Sequence, residues 1–118
     1  MKKRILVVDD ERNIRITITK SLQSEDLAVD QAISGEEALD RMVIYPYDLV
    51  LLDLRLPGMS GMEFMEKVKE LDLPAKIVVI SAHGTIDLAV KILKAGALDF
   101  IEKPFSPNEI RQIVAKYI

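Results

Sequence analysis

This 118-residue sequence has no cysteine, a single histidine and no excess of basic over acidic residues. The missing thiols exclude a disulfide framework and any thiolate metal centre, and they suit a reducing, cytoplasmic setting. With 16 lysines and arginines against 19 aspartates and glutamates, the formal net charge of −3 offers no electrostatic footprint for nucleic acid. Direct DNA binding would need another domain. Long apolar runs are missing too: the basic start Met1-Lys2-Lys3-Arg4 is followed by only Ile5, Leu6, Val7 and Val8 before two aspartates. That run is too short for the core of a signal peptide or for a membrane span, so no membrane partner is expected. There is no low-complexity stretch, no linker and no internal repeat beyond an alternation of strand and helix. Nor does a glycine-rich phosphate loop follow the first apolar run, where Asp9, Asp10 and Glu11 would repel the phosphates of a flavin or nucleotide.

What is present is a chain 49% hydrophobic, enough to build the core of one domain over residues 1–118. Its organising stretch is 48–61, where Leu49-Val50-Leu51-Leu52 ends in Asp53 and then meets Pro57, Gly58 and Gly61. Four consecutive apolar residues suit a strand covered on both faces, and the proline and glycines stop a helix from running through the carboxylate. Further strands are expected over 3–8, 27–32, 75–81 and 98–103. A first helix is expected over 11–25 with Ile14, Ile18 and Leu22 inward, and a second through Ala38, Leu39 and Met42. A third carries Met62, Phe64, Met65 and Val68, and a fourth runs from Gly84 or Thr85 to Gly96 with Ile86, Ala89, Val90 and Leu93 as its buried stripe. The last carries Ile110, Ile113, Val114 and Tyr117. Ser34 with Glu37, Ser60 with Glu63 and Ser106 with Glu109 have capping-box spacing, the last with Pro107 at the first helical position. Strict alternation of this kind predicts an α/β fold, a doubly wound five-stranded parallel sheet with helices on both faces.

In such a sheet ligands bind beyond the C-terminal strand ends, where strand order reverses. Asp9 and Asp10 end the first strand, Asp53 the third, Ser81 the fourth and Lys103 the fifth. Taken singly each has a plainer reading: a helix N-terminus for Asp9-Asp10, a loop cap for Asp53, a locally bonded hydroxyl for Ser81, a solvated strand end for Lys103. Together they make an oxygen-rich, thiol-free cluster that suits a hard divalent cation such as Mg²⁺. Lys103 adds a positive charge for an anion, and Ser81 a hydroxyl donor. Metal, ammonium and hydroxyl around a carboxylate are what a phosphoryl group on that carboxylate needs, so Asp53 is a candidate nucleophile. His83 and the Met59, Met62, Met65 group are read as loop and packing residues.

Asp9-Asp10 after Ile5-Leu6-Val7-Val8, the run Leu52-Asp53-Leu54-Arg55-Leu56-Pro57-Gly58-Met59-Ser60-Gly61, Ser81-Ala82, and Lys103-Pro104-Phe105 after Phe100 follow one another at successive strand ends. In that order they resemble the receiver domain of two-component response regulators over essentially the whole chain. The resemblance implies a flavodoxin-like sheet of order 2-1-3-4-5 and a switch more than a turnover enzyme, one that promotes its own phosphorylation and dephosphorylation. Asp53 would accept a phosphoryl group from a phosphohistidine on a sensor histidine kinase or phosphotransfer protein. Asp10, Asp53 and the backbone carbonyl of Arg55 would ligate Mg²⁺, with Asp9 acting through a water. Lys103, the Ser81 hydroxyl and the Ala82 N–H would hold the phosphoryl oxygens. Ser81 and Phe100 would be the switch pair that changes the face of the fourth helix, fifth strand and fifth helix, a face through which a homodimer could form. Lys103-Pro104 would be a cis peptide. Two positions depart from the commonest family pattern: Phe100 replaces tyrosine and has no hydroxyl to offer, and Ser81 replaces threonine and has a freer rotamer.

The segment 84–105 is most similar to receivers of nitrogen-regulator-like transcription activators, which implies a transcriptional output and ATPase and DNA-binding modules after Ile118. Rival readings are a Mg²⁺-dependent phosphohydrolase with an aspartyl nucleophile, for which Arg55 stands where a second aspartate is expected, and a receiver-like interaction module that is never phosphorylated. Ile16, off the inward stripe of the first helix, is expected on a kinase-docking surface.

Overall fold

The computed structural model describes residues 2–82 and 84–118. Strands β1 (Lys3–Val8), β2 (Leu27–Ala32), β3 (Leu49–Asp53), β4 (Lys76–Ser81) and β5 (Asp99–Glu102) alternate with helices α1 (Arg12–Leu22), α2 (Gly35–Ile44), α3 (Gly61–Glu70), α4 (Ile86–Lys94) and α5 (Pro107–Tyr117). All neighbouring strands pair in parallel in the order β2-β1-β3-β4-β5. The expected α/β architecture and sheet order are both found.

Strand alternation divides the apolar residues between two faces. Leu6, Val8, Val50, Leu52, Ile77 and Val79 point to the layer that holds α2, α3 and α4, through Ala38, Met42, Phe64, Met65, Val68 and Ile92. Ile5, Val7, Leu49, Leu51, Val78 and Ile80 point to α1 and α5, through Ile18, Leu22, Ile110 and Val114. β3 lies between these layers and is buried along its full length, as its unbroken apolar run requires.

Helix termini follow the local chemistry, with some departures from expectation. Ser60 and Ser106 complete reciprocal capping boxes with Glu63 and Glu109. Ser34 accepts only the Glu37 N–H, because the Glu37 carboxylate turns to Arg41 at 3.6 Å. α1 stops at Leu22 rather than running to residue 25: Gln23 is already extended, and the Ser24 hydroxyl takes the Asp26 N–H in a local turn. Gly96 follows α4 with φ +112°, a left-handed turn that glycine accepts readily.

The largest departure concerns α4. Ile86, Val90 and Leu93 face outward at 84%, 45% and 48% exposure, and Ala89 is half-buried, while Ile92 is fully buried with Leu88 and Ala95 packing beside it. The helix carries two apolar stripes, and periodicity alone does not say which one meets the sheet.

Candidate functional site

Strand order reverses between β1 and β3, so the chain leaves their C-terminal ends in opposite directions and opens a crevice there. Val8 pairs with Leu52, which brings Asp9 and Asp53 to the crevice as near neighbours. Both are buried, at 2% and 5% exposure, whereas Asp10 and Glu11 face solvent. Lys103, one residue past β5, reaches in from the other side. Its Nζ lies 3.0 Å from Asp9 Oδ2, 3.2 Å from Asp53 Oδ2 and 3.5 Å from Glu11 Oε1. The Lys103-Pro104 bond that begins the following loop is cis, as the resemblance implied.

Backbone donors hold the remaining carboxylate oxygens. The Glu11 N–H donates to Asp9 Oδ1 at 2.8 Å, and the Arg55 N–H donates to Asp53 Oδ1 at 3.1 Å. Each acid therefore turns the loop after its own strand back upon itself. Burial pushes the Asp9 carboxyl above its usual range despite the lowering pull of the Glu11 N–H and Lys103, and the nearby Asp53 charge adds to the rise. For Lys103 burial acts to lower the pKa, but hydrogen bonds and charges from Asp9 and Asp53 outweigh it and leave the ammonium more firmly protonated.

One oxygen from each of Asp9, Asp10, Glu11 and Asp53 can be chosen so that all lie within 4.8 Å of one another. Oxygen donors at that spacing fit a hard divalent cation and offer nothing to a soft one. The four carboxylates and the Lys103 ammonium together carry a formal charge of −3, which the Arg15 guanidinium on the Asp9 carbonyl only partly offsets. Such an excess favours a bound cation.

Ser81 is buried at the end of β4, and Ala82 beyond it is exposed. Phe100 is half-buried on β5 and packs against the layer of α2, α3 and α4. The Arg55 side chain is exposed, so only its backbone belongs to the crevice. Ile16 is half-buried and joins neither core layer. His83 lies outside the described residues.

Two contributors were not singled out from the sequence. Glu11, the third acid of an Asp-Asp-Glu run, joins both the oxygen cluster and the Lys103 contacts; the run itself was the available signal. Arg15 on α1 donates to the Asp9 carbonyl at 2.9 Å and to Gln31 on β2 at 3.2 Å, bracing the loop that carries the acids. Its only sequence signal was a charged residue on a helix rich in isoleucine.

The fold and the crevice define a doubly wound α/β domain whose switch point presents a buried acid, a lysine and an oxygen cluster suited to a hard cation. The family described as "Response regulator receiver domain" matches residues 5–115. The sequence is 37% identical over 118 residues to sporulation initiation phosphotransferase F of Bacillus subtilis, covering all of this chain and 95% of that protein. It is 40% identical to the B. subtilis transcriptional regulatory protein ResD over 91% of this chain but only 44% of ResD. Among solved structures, the signal receiver domain of a LuxO repressor protein from Vibrio parahaemolyticus superposes with a TM-score of 0.94 at 30% identity, covering 99% of this chain and 90% of that one. NtrX from Brucella abortus gives 0.87 at 35% identity, covering 99% of this chain and 27% of that one. The chain belongs to the receiver domains of two-component response regulators, phosphorylation-based switches that bind Mg²⁺ at an acidic pocket and work with histidine kinases or phosphotransfer proteins. It spans nearly the full length of the phosphotransferase and less than half of ResD. Among the described residues no helix is long and apolar enough to cross a membrane.

Proposed function

We propose that Asp53 is the phosphoacceptor and that Asp9, Asp10, Arg55, Ser81, Ala82 and Lys103 serve it as the family resemblance assigns. The observation that supports this most directly is the position of Asp53: buried at the end of the central strand, hydrogen-bonded through one oxygen to the Arg55 N–H and through the other to Lys103. In the transfer an Asp53 carboxylate oxygen attacks phosphorus, the P–N bond of a kinase phosphohistidine breaks, and its electron pair returns to the imidazole. The Arg55 N–H fixes the plane of the attacking carboxylate, and Lys103 moves from sharing Asp9 and Asp53 to neutralising the phosphoryl oxygens. The Ser81 hydroxyl and Ala82 N–H take the others. Asp10, Asp53 and the Arg55 carbonyl would hold Mg²⁺, with Asp9 acting through a water; the cation would supply charge neutralisation at the phosphoryl group. Hydrolysis of the acyl phosphate then resets the domain, which promotes both steps on itself.

In this reading residues 1–118 form one receiver domain of a cytoplasmic regulator with a transcriptional output, and Ser81 and Phe100 relay the event to α4, β5 and α5. The outward stripe of Ile86, Val90 and Leu93, with Leu98 at 42% exposure beside it, supports this face as the place where a second copy docks. Ile16 belongs to the kinase-docking surface; an Ile16→Ala variant phosphorylated at the wild-type rate by its kinase removes that assignment. The phosphoacceptor reading is tested with Mg²⁺ and acetyl phosphate, followed by mapping of the acyl phosphate. Modification is expected at Asp53 and lost in Asp53→Asn; labelling elsewhere, or labelling that survives the substitution, refutes it.

A further inference from the structure

Phe100 has no hydroxyl, so any signal it exchanges with the loop after β4 must pass through the space its ring occupies. Gly84, three residues past Ser81 in that loop, is where the two meet. A Cβ placed on Gly84 would lie 2.6 Å from both Cε1 and Cζ of the Phe100 ring, far inside van der Waals contact. The glycine is not required by its backbone, because only Gly58 and Gly96 among the described glycines take a positive φ. What residue 84 must do without is therefore a side chain, and the group that fills the space is the Phe100 ring.

We infer that Gly84 is a positioning residue: a bare Cα seat for the Phe100 ring that couples the ring sterically to the loop that follows Ser81 and carries the Ala82 N–H. Ring and loop cannot both move into the same volume, since packed side chains change by discrete displacement rather than by compression. Ser81 pairs with Glu102 across β4 and β5, and Val79 pairs with Phe100, so the strands fix the distance over which the contact acts. A loop shift toward an anion in the crevice alters the seat, and a ring that leaves the seat frees the loop. This inference rests on Asp53 being the phosphoacceptor and adds the residue through which a hydroxyl-free aromatic takes part in the switch.

The test is a double-mutant cycle read by the affinity for beryllofluoride in the presence of Mg²⁺, with wild type, Gly84→Ala, Phe100→Ala and the pair. A methyl at residue 84 displaces the ring, so Gly84→Ala changes the affinity by about fivefold or more, and the same substitution in the Phe100→Ala background changes it by less than about twofold. Equal effects in the two backgrounds, or no effect in either, overturn the seat. Wild type and Phe100→Ala together give a second readout in case Gly84→Ala does not fold. The Gly84 Hα resonances, lying against the ring, are expected to move on addition of beryllofluoride by an amount that Phe100→Ala removes; resonances that stay fixed overturn the inference. Failure of wild-type protein to bind beryllofluoride overturns the phosphoacceptor reading and the seat together, whereas wild-type binding that Gly84→Ala leaves unchanged overturns the seat alone.

Discussion

Replacing Lys103 by methionine keeps the stem of the side chain and deletes the one ammonium among the described residues that contacts Asp9, Glu11 and Asp53. At an effective dielectric of about 20, the 3.0 Å and 3.2 Å contacts to Asp9 and Asp53 each carry roughly 5 kcal/mol of gross attraction. Desolvation of the ammonium, 11% exposed, offsets much of that sum. Removing one partner from such a cluster leaves buried acids uncompensated and costs about 3–5 kcal/mol of stability. For 118 residues, with an unfolding entropy of roughly 2 cal/mol/K per residue, this corresponds to a fall in Tm of about 12–20 °C. Thermal melts of wild type and Lys103→Met at pH 7 in low salt measure it. The pH dependence gives the sign. Lys103 is raised above its ordinary 10.5, so its contribution is complete below that pH and fades as pH rises through the folded value. Asp9 is raised above 3.8, so the folded state prefers its proton, and acidification relieves the variant's buried charge. The deficit is therefore widest at neutral pH and narrows towards both extremes. A variant that melts within about 3 °C of wild type at pH 7, with no such narrowing, refutes the reasoning.

Gly61 fails to accommodate a Cβ for a different reason, since the new atom would stand 2.7 Å from the Leu54 Cα; Gly61→Ala is expected to cost about 1–3 kcal/mol in urea unfolding. Tyr47 donates to Asp30 at 2.6 Å, and burial with that carboxylate pushes its phenol up to about 12. Wild type should lose stability as pH climbs from about 10 to 12, while Tyr47→Phe, weaker by about 1 kcal/mol at pH 7, should show a smaller fall over that range, because it lacks the Tyr47 share and keeps that of Lys103. Ser106→Ala removes the hydroxyl that accepts the Glu109 N–H at the start of α5 and is expected to cost about 1 kcal/mol by denaturant titration, with amide exchange fastest in the first turn of that helix.

Strand ends were the most legible part of the sequence. Asp9, Asp53 and Ser81 each follow an apolar run long enough to be covered on both faces, and the alternation of elements brings those ends to one edge. Two of the three capping-box spacings are full boxes for the same reason, because the box is a contact between residues three apart and needs no tertiary information. Where a side chain had a choice of partner, local pattern did not decide. Glu37 left its box for Arg41, and α4 turned its Leu88 and Ile92 stripe inward rather than the Ile86, Val90 and Leu93 stripe. Glu11 and Arg15 were missed because their roles depend on what stands opposite them: Lys103 lies 92 residues away from one, and β2 lies across from the other.

The four acids and Lys103 together carry a formal charge of −3, as much as the entire chain, and the Arg15 guanidinium on the Asp9 carbonyl offsets part of it. Capture of a single divalent cation there takes the formal charge from −3 to −1, and Asp53→Asn takes it to −2. Migration in a native gel, which follows total charge at nearly constant size, becomes a direct gauge of occupancy at that edge. The acidic cluster also attracts a basic surface before contact, so capture by such a surface should slow as salt is added.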